Sequence, residues 1–243
     1  QGLFHKAIGQ SAACVGPAPR RDAAGLERGE KLVEFLGADS LEALRAVPPV
    51  EILTATDTSG WANASRIVID GWVLSEPQVD TFRAGRQAQV PLMLGCLSDE
   101  GVNLLPLNEA LTEDQLDEYL ARTVGDHAAT LKAAYAAENR RSPGIAQHAV
   151  ATDLFMAFAM RRWAEYQVAT QQPTYLYFMD HIPPAFHLYM PEDPKLDVPA
   201  GSRHAAYHSG DLAYVFGNVD KVGLDWTPQD RSLSAMMVNY WTN

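Results

Sequence analysis

Two stretches of this 243-residue chain carry side chains suited to moving protons. The first is Val90-Pro91-Leu92-Met93-Leu94-Gly95-Cys96-Leu97-Ser98-Asp99-Glu100-Gly101. It reads as a buried strand running into a loop that bears carboxylates. In open α/β sheets, ligands and catalytic groups gather at the carboxyl ends of the strands. On pattern alone, a solvated acidic turn is the favoured reading of Asp99 and Glu100. The second stretch runs from Arg203 to Gly217, with His204 and His208 ahead of a helical-looking run. A histidine is the usual general base near neutral pH. His204 and His208 have the spacing of a metal pair, but no Glu or Cys motif completes a site, so no metal is expected. A satisfied surface or core histidine is the plain alternative for each. A third stretch, Gly9-Gln10-Ser11-Ala12-Ala13, is similar to the nucleophile elbow Gly-x-Ser-x-Gly. An elbow needs a helix start after its serine. Here Cys14-Val15-Gly16-Pro17-Ala18-Pro19 follows, so Ser11 is not expected to be a nucleophile.

The elements that must position these residues alternate. Short apolar runs predict buried strands at Ala7–Ser11, Arg66–Ile69, Val90–Gly95 and Thr174–Phe178. Helical patterns lie between them, over 23–36, 41–46, 50–56, 126–139 and 143–170, with a last one at Arg231–Trp241. Thr112 is placed as the N-cap of a further helix that extends to about Arg122. A Pro-rich stretch over 183–199 is irregular. Strands alternating with helices predict an α/β fold with a mainly parallel sheet. No repeat and no dividing linker is evident.

Composition narrows the function classes. Hydrophobic residues are 47% and charged residues 20% of the chain, which excludes disorder. Acidic residues outnumber basic ones 30 to 19, for a formal charge of −11, and no basic cluster offers a face to nucleic acid or an anionic membrane. No apolar run reaches the length of a spanning helix. Cys14 and Cys96 both sit in apolar runs and are expected as buried thiols. The opening lacks Met and the chain stops within a helical pattern, so a piece of something larger is expected.

Taken in order, these segments resemble the type-B carboxylesterase family, which includes para-nitrobenzyl esterases and cholinesterases. Gly2-Leu3-Phe4 through Ala7-Ile8-Gly9-Gln10-Ser11 is similar to one family segment. Asp70-Gly71, Val90–Gly95, Asp99-Glu100-Gly101, Tyr175–Phe178 and His208-Ser209-Gly210-Asp211 through Phe216-Gly217 follow in the family's order. The resemblance implies the second half of an α/β-hydrolase sheet, with residues 1–243 as a C-terminal portion truncated at both ends. It implies Glu100 as the acid and His208 as the base of a Ser-Glu-His triad. The nucleophilic serine and the oxyanion segment would lie upstream, in a missing N-terminal segment in cis or on a second chain. Ser11 would support Glu100. Asn103 and Leu104 would line the pocket, with Phe178, Met179 and the Pro-rich stretch at its rim. Asp211 departs from the family's usual Glu. The two cysteines cannot build the animal members' disulfides, which favours a bacterial-type enzyme, cytoplasmic or secreted. The implied substrate is a small-molecule ester, with no cofactor, no nucleic acid and no membrane. The alternative is a catalytically inactive, cholinesterase-like interaction module.

Overall fold

The computed structural model describes residues 2–12, 23–59, 69–103, 107–184, 206–221 and 225–243, with backbone only at 23–28, 56–59 and 102–103. The expected strand at Arg66–Val68, Cys14, Leu104, His204 and most of the Pro-rich stretch lie outside them. The chain forms two compact units, residues 15–87 and residues 1–14 with 88–243.

The described residues of the 15–87 unit are largely helical. It holds α1 (Ala23–Phe35), α2 (Leu41–Ala46), α3 (Pro49–Ser59) and α4 (Gln78–Arg83). Ser40 caps α2 by accepting from the Ala43 amide, and Pro49 opens α3, where its missing N–H is no loss. Pairing of Arg86 with Glu76 closes the turn after α4.

Among the described residues, the other unit is built on three parallel strands in the order β1 (Ala7–Gln10), β2 (Leu92–Leu97), β3 (Thr174–Met179). The expected strand at Val90 begins at Leu92 instead. Pro91 has no N–H to give the ladder, and its carbonyl accepts from Ala7. The Val90 carbonyl is taken by the Gln167 amide.

β2 is buried on both faces, as a central parallel strand should be. Leu92, Leu94 and Cys96 pack on Met156, Met160 and Ala164. On the other face, Leu97 joins Met179, Tyr214, Trp226 and Met237. Leu94 and Leu97 are wholly buried, each contributing about 1.5–3 kcal/mol. Burial pushes the Cys96 thiol up to about 12, helped by the charges of Glu100 and Asp153, so it is an unreactive packing group.

The helices of this unit are α5 (Glu113–Val124), α6 (Ala128–Ala134), α7 (Ala136–Arg141), α8 (Pro143–Thr152), α9 (Phe158–Val168), α10 (Leu212–Val215) and α11 (Pro228–Thr242). Thr112 caps α5 through a capping box with Gln115. The helix expected over 126–139 is instead a 3₁₀ turn at Gly125–His127 followed by α6 and α7, which part at Tyr135. Its hydroxyl is hydrogen-bonded to Asp153. The helix expected over 143–170 starts at Pro143, behind the Ser142 cap, but is interrupted. Asp153–Ala157 makes a π-helical turn, and α9 resumes after it. α11 begins earlier than expected, because Thr227 and Asp230 form a second capping box and Pro228 sits at the first helical position.

Candidate active site

The acidic loop is not a solvated turn. Where β2 ends, Ser98 N–H donates to the Met179 carbonyl at 3.0 Å, and a 3₁₀ turn, Glu100–Asn103, folds the chain back. Asp99 is 6% exposed and Glu100 1% exposed. A buried carboxylate must have donors, or its desolvation is not compensated. Glu100 has three. Ser11 Oγ and the Leu97 N–H, the latter at 2.8 Å, both donate to Oε1. His208 Nδ1–H donates to Oε2 at 2.5 Å.

His208 stands in the loop before α10. Its approach is fixed from β2, since Asp99 N–H donates to the Ala206 carbonyl at 2.7 Å and Ala206 N–H donates to Ser98 Oγ at 3.0 Å. Ser209, with φ 72°, turns the chain back just beyond. Gly210 is packed so closely that a Cβ would stand 2.9 Å from both Pro183 Cγ and the Tyr207 carbonyl. The imidazole remains 39% exposed, so its second nitrogen is not sealed off by the carboxylate. The hydrogen bond to Glu100 raises the His208 pKa above its usual value, against the opposing effect of burial.

Ser11 follows β1 directly, and its N–H continues the ladder to the Gly95 carbonyl at 2.8 Å. Its φ of 49° is left-handed, a conformation that costs a residue with a side chain. That turn brings its hydroxyl to Glu100. Ser11, expected at the end of a buried strand, is half-buried.

A second layer of polar contacts lies on the α11 face. Asp211, 2% exposed, accepts from Gln10 Nε2 at 2.9 Å and from Tyr177 OH at 3.3 Å. Trp241 Nε1–H donates to Gln10 Oε1 at 3.0 Å and its ring meets Tyr177 edge-on. Burial raises the Asp211 pKa, with the Gln10 bond acting against it. The carboxylate one residue before Glu100 is also engaged. Asp99 Oδ1 is bonded to His148 Nε2, from α8.

Of the other expected pocket residues, Phe178 has a described side chain: it lies on β3, pairs in register with Cys96 of β2, is 59% exposed and stands on the opposite strand face from Tyr177. Asn103 closes the 3₁₀ turn, and its side chain is outside the described residues, as are Leu104 and His204. The sequence reading missed His148, Thr152 and Gln10. His148 and Thr152 carried a signal, being polar residues one turn apart on a helix otherwise rich in Ala and Val. Among the described residues, no group of three or more His, Cys, Asp or Glu side chains could hold a metal, and no helix is long and apolar enough to cross a membrane.

The profile of the carboxylesterase family matches residues 1–243. Phenmedipham hydrolase of Pseudarthrobacter oxydans is 25% identical over 236 residues, covering 93% of this chain and 43% of that protein. Among solved structures, the Geobacillus stearothermophilus carboxylesterase EST55 is 23% identical with a TM-score of 0.74, over 99% of this chain and 48% of that one. A PNB esterase is 23% identical with a TM-score of 0.71, again over 99% and 48%. The fold is therefore that of the α/β-hydrolase esterases, and the chain spans about half the length of the proteins it resembles.

Proposed function

The chain belongs to the carboxylesterase family, and from that premise we propose that it supplies the acid and base of a serine ester hydrolase. The nucleophilic serine and the oxyanion donors lie on the part of the protein outside these 243 residues. His208 takes the serine proton through Nε2 as the hydroxyl attacks the ester carbonyl. It then returns a proton to the leaving alcohol, and repeats both acts when water clears the acyl group. Glu100 receives the Nδ1 proton's hydrogen bond throughout, which fixes the tautomer that leaves Nε2 free to accept. It also stabilises the imidazolium that forms. Ser11 donates to Glu100 and keeps it aimed, and is not itself the nucleophile. Small-molecule esters are the substrate class. No step calls on a metal or organic cofactor.

One observation carries this reading. The carboxylate holding His208 Nδ1 is itself buried and has both oxygens occupied by donors from the β1 end, β2 and the His208 loop. A histidine that served only packing would not need an acid so preorganised.

The test uses the full-length protein and a short-chain p-nitrophenyl ester. His208→Ala should lower turnover by several orders of magnitude. A fluorophosphonate probe with peptide mapping should label a serine outside residues 1–243. Labelled Ser11, or undiminished turnover without His208, would overturn the assignment. An inert protein that takes no label would favour an interaction module. Phenmedipham, which names the Pseudarthrobacter relative, is a second compound to assay.

A further inference from the structure

Glu100 is gripped on both flanks by one helix. Before it, Asp99 is bonded through Oδ1 to His148 Nε2. After it, Gly101 N–H donates to Thr152 Oγ1 at 2.9 Å, and a Cβ at Gly101 would stand 2.5 Å from that oxygen. His148 and Thr152 are one helical turn apart on α8, so a single face of that helix holds the acid's two neighbours. Asp99 also serves the base. Its N–H donates to Ala206 and it bridges Tyr207, the residue before His208. Asp99 is thus bonded covalently to the acid and through its backbone to the loop that delivers the base. Whatever fixes its side chain fixes both ends of the pair. The side chains of His148 and Asp99 are 13% and 8% exposed, so their contact is largely shielded from solvent.

We propose that His148 is a positioning residue for the Glu100–His208 pair, acting through Asp99. The proposal rests on the acyl-transfer reading above. Loss of His148 leaves a buried carboxylate without this partner. Asp99 then turns toward other donors, and its backbone moves with it. Small displacements of this kind at a proton-transfer pair are costly: about 1 Å can cost on the order of a hundredfold in rate.

The experiment compares variants of the full-length protein with a p-nitrophenyl ester. In His148→Ala, kcat should fall about tenfold or more with KM changed by less than about twofold, because the substrate is not touched. His148→Gln keeps an N–H donor and should regain most of the loss. Asp99→Asn should lower kcat, and adding His148→Gln to it should cost little more, as expected for one shared contact. The downfield proton resonance of His208 Nδ1–H, identified by its loss in Glu100→Gln, should shift in His148→Ala. Leu32→Ala, a core variant in α1 of the 15–87 unit, separates stability from positioning. It should lower the Tm and leave kcat and the resonance in place. Wild-type kcat with an unshifted resonance in His148→Ala overturns the proposal, as does a loss of kcat matched by Leu32→Ala. If His148→Ala does not fold, Asp99→Asn decides by the same two readouts. If Glu100→Gln and His208→Ala keep turnover, the acyl-transfer reading falls and this proposal with it. If only the His148 and Asp99 variants keep kcat, this proposal falls alone.

Discussion

At Glu100 and His208 the hydrogen bond that orients the base also sets when it works. The pKa of His208 is raised above the ordinary value near 6.5 by its bond to Glu100, with burial opposing. A general base must be neutral, so kcat/KM should climb with pH through that raised value. The acid limb of the profile should lie above the ordinary histidine range. In Glu100→Gln the carboxylate is gone and burial remains, so the limb should move to lower pH while the rate falls by about 10³–10⁴. A limb that stays in place would show that another group sets it. The same shift acts on stability in the opposite sense. Stability from the raised histidine is fully present below about pH 6.5 and is lost as pH rises through the folded value. The fold is therefore tightest around a base that is protonated and idle. Ser11 has two roles that substitution can separate. Ser11→Ala and Ser11→Gly both remove the hydroxyl from Glu100, and each should lower kcat about tenfold. Gly suits the left-handed backbone, so Ser11→Gly should be the more stable of the two in thermal unfolding, by about 1 kcal/mol. Equal stabilities would show that the backbone relaxes there.

At the level of elements, the strand that carries the acid and the helix that closes the far face each depend on one position. Gly95 lies under the Tyr177 ring, and a Cβ there would stand 2.2 Å from it. Gly95→Ala should therefore push the β3 aromatic off β2 and cost about 1–3 kcal/mol in denaturant unfolding. The start of α11 is pinned by Asp230, 2% exposed, which accepts from Thr227, from Tyr214 OH at 2.6 Å and from His181 at 2.7 Å. Burial alone would raise its pKa, but these hydrogen bonds together hold it well below the usual carboxylate range. A depressed carboxylate gives stability that is present above the unfolded pKa, near 3.9, and lost as pH falls through the folded value. Wild type should lose stability below about pH 4 more steeply than Asp230→Asn, whose curve should be flatter there and lower at neutral pH. These two anchors also show what the sequence could reveal. The strand cores and the Thr112 cap were legible because period and cap chemistry are local. Asp230 was not, because its donors come from the segment after β3, from α10 and from its own cap, and only the fold brings them together. For the same reason Glu100 and His208 were nameable by resemblance alone. Burial of the acid loop depends on α8, which lies some fifty residues away in sequence. The helix breaks at Tyr135 and Asp153 were invisible too, since one tertiary hydrogen bond joins them across an otherwise periodic pattern.

At the scale of the whole molecule, much apolar surface faces solvent. Ile8 on β1 and Tyr175, Leu176 and Phe178 on β3 are 41–63% exposed. A groove of about 900 Å³ lies between the start of the sheet and the end of α11, lined by Ile8, Met93, Leu176 and Trp241. Contiguous exposure of this kind leads to association when nothing covers it. Residues 1–243 expressed alone should bind a hydrophobic dye, aggregate and show no esterase activity, whereas the full-length protein should do none of the first two. A soluble, cooperatively unfolding piece with His208-dependent turnover would show that the nucleophile has been misplaced, and Ser11 would be reconsidered first.

The π-helical turn at Asp153–Ala157 divides one rod into two registers. Upstream of it, His148 and Thr152 are phased to the acid loop; downstream, Met160 and Ala164 are phased to β2. A regular helix advances about 100° per residue. Deleting one residue within the turn would therefore restore the regular helix and swing either the histidine or the methionine off its target. The turn acts as a clutch. It lets the two ends of the rod keep different angular settings, so the chemistry at one end and the packing at the other need not share a common phase.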